Sequence, residues 1–100
     1  MFVNLTPHAI NFGDRSIEPS GKIARCSEVS SEAGEHAGIK LIRRSYGKIV
    51  DLPEPKEGTI FIVSILVRQA CPSRTDIASP GDLIRDNDGK IVGAINLVIN

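Results

Sequence analysis

The chain has 100 residues, enough for one domain with a single core that needs no disulfide or metal staple. Apolar residues make up 41% but aromatics only 4%, so the core must be built mainly from Ile, Val and Leu, whose β-branched members favour strands. Twelve basic residues balance twelve acidic ones, which argues against duplex binding, where phosphate contacts demand a cationic surplus.

Along the chain, residues 1–5 and 9–12 read as strands interrupted by Thr6-Pro7-His8. Pro7 cannot donate to a sheet ladder, so the strand lies at an edge or breaks there. Gly13-Asp14-Arg15 and Pro19-Ser20-Gly21 are turn sequences. KIARCSEV alternates, placing Ala24, Cys26 and Glu28 on one face and Ile23, Arg25 and Ser27 on the other. Residues 30–38, SSEAGEHAG, are polar and glycine-bearing and read as a mobile loop. IKLIRR resumes a strand, Tyr46-Gly47 is a turn, and KIVDL is a further strand.

Pro53 and Pro55 make 53–58 an extended connector. GTIFIV, an unbroken apolar run, is the strand expected to be buried on both faces. Ser64 is placed to cap one short helix near 64–71, ended by Pro72. Residues 73–81 read as a structured loop in which Ser79-Pro80-Gly81 fits a type II turn. Asn87-Asp88-Gly89 closes a hairpin between DLIRD and KIVGAINLVI. The expected fold is a single mainly β domain over 1–100, a small sheet or barrel-like domain of about six to eight short strands containing a closed or nearly closed sheet. The apolar tail INLVIN either completes the protomer's own sheet or pairs with a neighbour, and it predicts a homo-oligomer.

Cys26 and Cys71 are far apart in sequence, and no basic stretch followed by an apolar run opens the chain. The longest apolar stretch, TIFIVSILV, is too short for a bilayer. These features predict a cytoplasmic protein with reduced thiols and no membrane partner.

Chemistry-bearing motifs are sparse. RDNDGK at 85–90 tempts a calcium reading, but aligning Gly89 with the loop's invariant glycine puts Ile84 and Ile95 at the first and last ligand positions. His8, His36, Cys26 and Cys71 lack metal-ligand spacing. No nucleophile elbow, phosphate-binding glycine loop or acid–base set is recognisable, so neither an enzyme nor a cofactor is expected.

Two clusters remain. The break at Pro7 either lets His8 hydrogen-bond back to hold the turn or aims Thr6 and His8 at a ligand. In SRTDIASPGD, Arg74 and Asp76 either brace the loop as an ion pair or serve a ligand. In the second case Arg74 grips a phosphate, Thr75 adds a hydrogen bond, Asp76 accepts from a sugar hydroxyl, and Gly81 permits close backbone approach. Arg25 is either on a wet strand face or lining the same cleft.

LTPHAI at 5–10, PSGKIAR at 19–25, LPEPKEGTIFIVS at 52–64, RTD at 74–76 and PGDLIRDNDGKIVG at 80–93 together resemble a group of small phage and prophage proteins. The likeness covers nearly the whole chain except 30–45. It implies a viral origin and a host cytoplasm as workplace, but no activity. A phage accessory protein of this size could sequester a nucleotide immune signal, of cyclic nucleotide or cyclic ADP-ribose type. It could instead inhibit a host protein or be a minor structural component with no small ligand. A DNA-binding regulator is disfavoured, because no predicted helix is long enough to read a groove.

Overall fold

The computed structural model describes all 100 residues. Its elements, in order, are β1 (Phe2–Asn4), β2 (Ile10–Asn11), β3 (Ser16–Ile17), β4 (Arg25–His36), β5 (Ile39–Val50), β6 (Ile60–Ile62), α1 (Ile65–Ala70), β7 (Ile77–Pro80), β8 (Leu83–Arg85), β9 (Ile91–Ala94) and β10 (Leu97–Ile99). The mainly β expectation with one short helix holds, and Ser64 caps α1 by accepting from the Val67 amide at 3.3 Å.

The strands form four sheets rather than a closed barrel. A central sheet runs in the order β1-β6-β7-β10, with β1, β6 and β7 parallel and β10 antiparallel to β7. The expected closure fails because three other strand pairs, β2–β3, β4–β5 and β8–β9, keep to themselves as two-stranded ribbons. GTIFIV supplies the sheet's middle, with Phe61, Ile62 and Val63 all buried. The C-terminal tail completes the protomer's own sheet, pairing Leu97 with Pro80 and Ile99 with Ala78.

Strand alternation divides the core into two layers. Leu5, Phe61, Val63 and Ile77 point to one face, where they meet Ala24, Val67 of α1 and the flanking Cys26, Ile49 and Cys71. Ile62 points to the other, where Ile10 and Ala94 cover it, with Phe2, Phe12, Ile17 and Leu97 around them.

Three local readings are corrected. Of residues 30–38 only Ala37-Gly38 lie outside a strand, and Tyr46-Gly47 is not a turn: residues 30–36 lie within β4 and Tyr46-Gly47 within β5, and the two strands pair from Arg25–Val50 out to His36–Ile39. SSEAGEHAG has poor intrinsic strand propensity, and cross-strand partners override it. Lys40 pairs with Glu32 at 2.6 Å, and the Arg44 Nε donates to Ser30 Oγ at 3.3 Å. The turn is Ala37-Gly38, with φ of 52° and 82°. Positive φ at both central residues is the two-residue hairpin geometry that suits strand twist. Ser79-Pro80-Gly81 is likewise no turn, since Ser79 is buried in β7 opposite Val98.

The β4–β5 ribbon leaves the body. The Cα radius of gyration is 16.2 Å, against about 13 Å for a compact chain of this length. Twelve-residue strands are about 40 Å long. Only the ribbon's base, through Cys26 and Ile49, reaches the core.

Candidate functional site

The interruption at Pro7 is organised by Asn4, which is 1% exposed. Its Oδ1 accepts from the Thr6 amide at 2.9 Å and the Thr6 hydroxyl at 2.6 Å. Its Nδ2 donates to the carbonyls of His8 at 2.9 Å and Ile17 at 3.0 Å. One buried carboxamide thus ties together four polar groups around the break in the strand. His8 does hold the turn, but through its carbonyl. Its imidazole is exposed and makes no hydrogen bond within the chain.

Arg74 and Asp76 face each other squarely. Nε donates to Oδ1 and Nη2 to Oδ2, each at 2.7 Å, and Nη2 also donates to the Pro53 carbonyl at 3.0 Å. These hydrogen bonds from the guanidinium hold the Asp76 carboxyl below the usual carboxylate range and raise Arg74 in turn. The pair ties the start of β7 to the connector before β6.

Gly81 does permit a close approach, but by Asn96. A side chain there would strike the Asn96 carboxamide. Asn96 Oδ1 accepts from the Asp82 amide at 2.9 Å, and its Nδ2 donates to Asp82 Oδ2 at 3.0 Å. Asp86 in RDNDGK is a turn acceptor, taking the amides of Asp88 at 2.9 Å and Lys90 at 3.0 Å.

The seven sequence-derived candidates do not converge on one pocket. Thr6 and Arg25 share a hollow of about 230 Å³ with Tyr46 and Ser64, while His8 lines a different one beside Ile91 and Gly93. Thr75 and Asp76 edge a third hollow near Met1, and Gly81 lines a fourth beside Arg68 and Asn96. No three His, Cys, Asp or Glu side chains cluster as metal ligands would, and no helix is long and apolar enough to cross a membrane. Burial raises the Cys26 thiol, with Cys71 adding to the effect, and both cysteines are free.

What sequence reasoning missed is the ribbon surface. Beyond the register shift between Cys26 and Glu28, directly paired residues share a face. One face carries Glu28, Ser30, Glu32, Ile42, Arg44 and Tyr46, laced by the Glu32–Lys40 and Glu28–Arg44 pairs. The other carries Val29, Leu41 and Ile39, which are 70%, 44% and 68% exposed. The legible signal was charge segregation: Glu28, Glu32 and Glu35 lie on β4, whereas Lys40, Arg43, Arg44 and Lys48 lie on β5.

No family model, curated protein or solved structure matches this chain.

Proposed function

We propose that this chain is a binding protein of phage or prophage origin that engages another protein surface through its β4–β5 ribbon and carries out no catalysis. The supporting observation is the ribbon itself. Its two twelve-residue strands project from the body with both edges free and with Val29, Ile39, Leu41, Ile42 and Tyr46 exposed. Exposed apolar side chains gathered on one projecting element mark an interaction surface. Unpaired strand edges add backbone donors and acceptors that another chain can take.

The nucleotide-sequestering reading keeps one observation in its favour. Thr6, Arg25, Tyr46 and Ser64 do share a hollow, with a phenol to stack on a base and a guanidinium for a phosphate. Its volume of about 230 Å³ is below that of most small-molecule sites, roughly 300–1,000 Å³. The Arg74 guanidinium, the sharpest sequence candidate for a phosphate, is already held by Asp76 and Pro53.

The test compares the full chain with a variant whose ribbon is cut back so that an Asn-Gly turn joins Ser27 to Lys48. Both are expressed in a bacterial host and isolated by affinity. A stoichiometric protein partner, a further copy of the chain included, should accompany the full chain and be lost from the shortened one at unchanged melting temperature. Identical partners on both would overturn the ribbon reading. A stoichiometric nucleotide extracted from the full chain, with no protein partner, would favour the hollow at Thr6, Arg25 and Tyr46 instead.

A further inference from the structure

Resting on the ribbon reading, we infer that the ribbon's partner is a second copy of this chain, joined edge to edge so that β5 of one protomer pairs with β4 of the next. Each strand has one neighbour within the protomer and one free edge. The two free edges differ in charge. Beyond Arg25 at the base, β4 carries Glu28, Glu32 and Glu35 and no cation but His36, while β5 carries Lys40, Arg43, Arg44 and Lys48 and no acid.

Symmetry and charge then choose the pairing. A two-fold β4–β4 contact sets glutamates against glutamates, and a β5–β5 contact sets cations against cations. Like charges opposed across strands are destabilising and opposite charges stabilising. Only β5 against β4 of the next copy matches the edges. The contact is heterologous, so it closes into a ring or continues as a filament.

The side-chain faces support the same pairing. In a continuous sheet each face runs on into the neighbour. Lys40 and Arg44 lie on the same face as Glu28 and Glu32, so the acidic and basic rows meet across the new edge. On the reverse face Val29, Ile39 and Leu41 of successive copies lie on one side of the continuous sheet. Assembly would also stabilise the ribbon, since an isolated two-stranded hairpin is at best marginally stable in water, whereas three or more strands with an apolar face can be stable.

The experiment has two parts. The full wild-type chain is weighed in solution by light scattering at micromolar concentration, and at least two protomers are expected. A monomer overturns this inference but leaves the broader ribbon reading standing if the shortened variant still loses a different protein partner.

The second part uses a Cys26→Ser/Cys71→Ser background. A Glu32→Cys chain is co-expressed with a differently tagged chain carrying Lys40→Cys, Ile42→Cys or Arg44→Cys, and the purified mixture is oxidised with diamide. Adjacent strands lie about 4.8 Å apart, within disulfide reach. Identical positions on neighbouring copies lie two strand spacings apart, roughly 10 Å, beyond the limit of about 7 Å between Cα atoms. Disulfide-linked heteropairs in at least one mixture, with none from Glu32→Cys alone, are the expected result. Linked Glu32→Cys homopairs would show β4–β4 pairing and overturn it, as would a mass of two or more protomers with no heteropair in any mixture.

Discussion

Arg74 and Asp76, two residues apart, grip each other through two parallel hydrogen bonds of 2.7 Å, and the same guanidinium reaches back 21 residues to the Pro53 carbonyl. Both side chains are about one-fifth exposed, so neither is fully screened by water. A fork-to-fork pair of this kind is among the stronger polar interactions in proteins. Arg74→Ala should lower stability by about 1–3 kcal/mol, because it strands a half-buried carboxylate and a carbonyl. Asp76→Ala should do the same. Denaturant unfolding of both variants and the double variant checks this, and the two losses should not add.

The same pair makes stability depend on acid. The folded Asp76 carboxyl titrates below its ordinary value of 3.8, owing first to the hydrogen bonds from Arg74. The unfolded chain therefore binds this proton more readily than the folded one. The stabilisation is complete above the ordinary value and is lost as pH falls through the lower folded value. Melting curves between pH 6 and pH 2, taken for wild type and Asp76→Asn, should converge at the acid end.

Asn4 carries the turn that Pro7 imposes. Asn4→Ala should cost about 1–3 kcal/mol, since it removes four part-buried hydrogen bonds. Asn4→Asp separates the two halves of the arrangement: the bonds from Thr6 can persist, while those to the His8 and Ile17 carbonyls cannot. It should destabilise the protein chiefly by losing the two donated bonds. Thermal unfolding reads both variants, with a shift of roughly 4–8 °C per kcal/mol for a domain of this size.

At the ribbon tip, Ala37 sits at φ 52°, a left-handed conformation that costs an alanine roughly 1–2 kcal/mol. Ala37→Asn gives the Asn-Gly pair favoured in such turns. It should slow hydrogen exchange of the outer ribbon amides by several-fold while leaving those of β6 and β7 unchanged. Faster exchange at the tip would refute the turn geometry.

Gly81 tests a contact rather than a conformation. Gly81→Ala drives a methyl into the Asn96 carboxamide and must displace its bonds to Asp82. The variant should be destabilised by about 1–3 kcal/mol. Adding Asn96→Gly should recover part of that loss, which chemical denaturation of the single and double variants would show.

The sequence by itself determined the elements whose signals are local. Ser64 before an apolar run and Pro72 after it bound the helix. GTIFIV is apolar on both sides because the sheet is covered on both sides. Asn87-Asp88-Gly89 and Gly13-Asp14-Arg15 announce their turns through residues that tolerate the backbone they need. Tertiary structure alone decided which of two local readings won. Arg74 braces because Pro53 lies beside it, and Asn4 rules the Pro7 turn because Ile17 is brought within reach. The ribbon shows the limit most plainly. SSEAGEHAG is polar and flexible by composition, yet its first seven residues are strand, paired with IKLIRRSYGKIV, which carries the opposite charge. Pairing between strands is a property of two segments, and neither segment carries it alone.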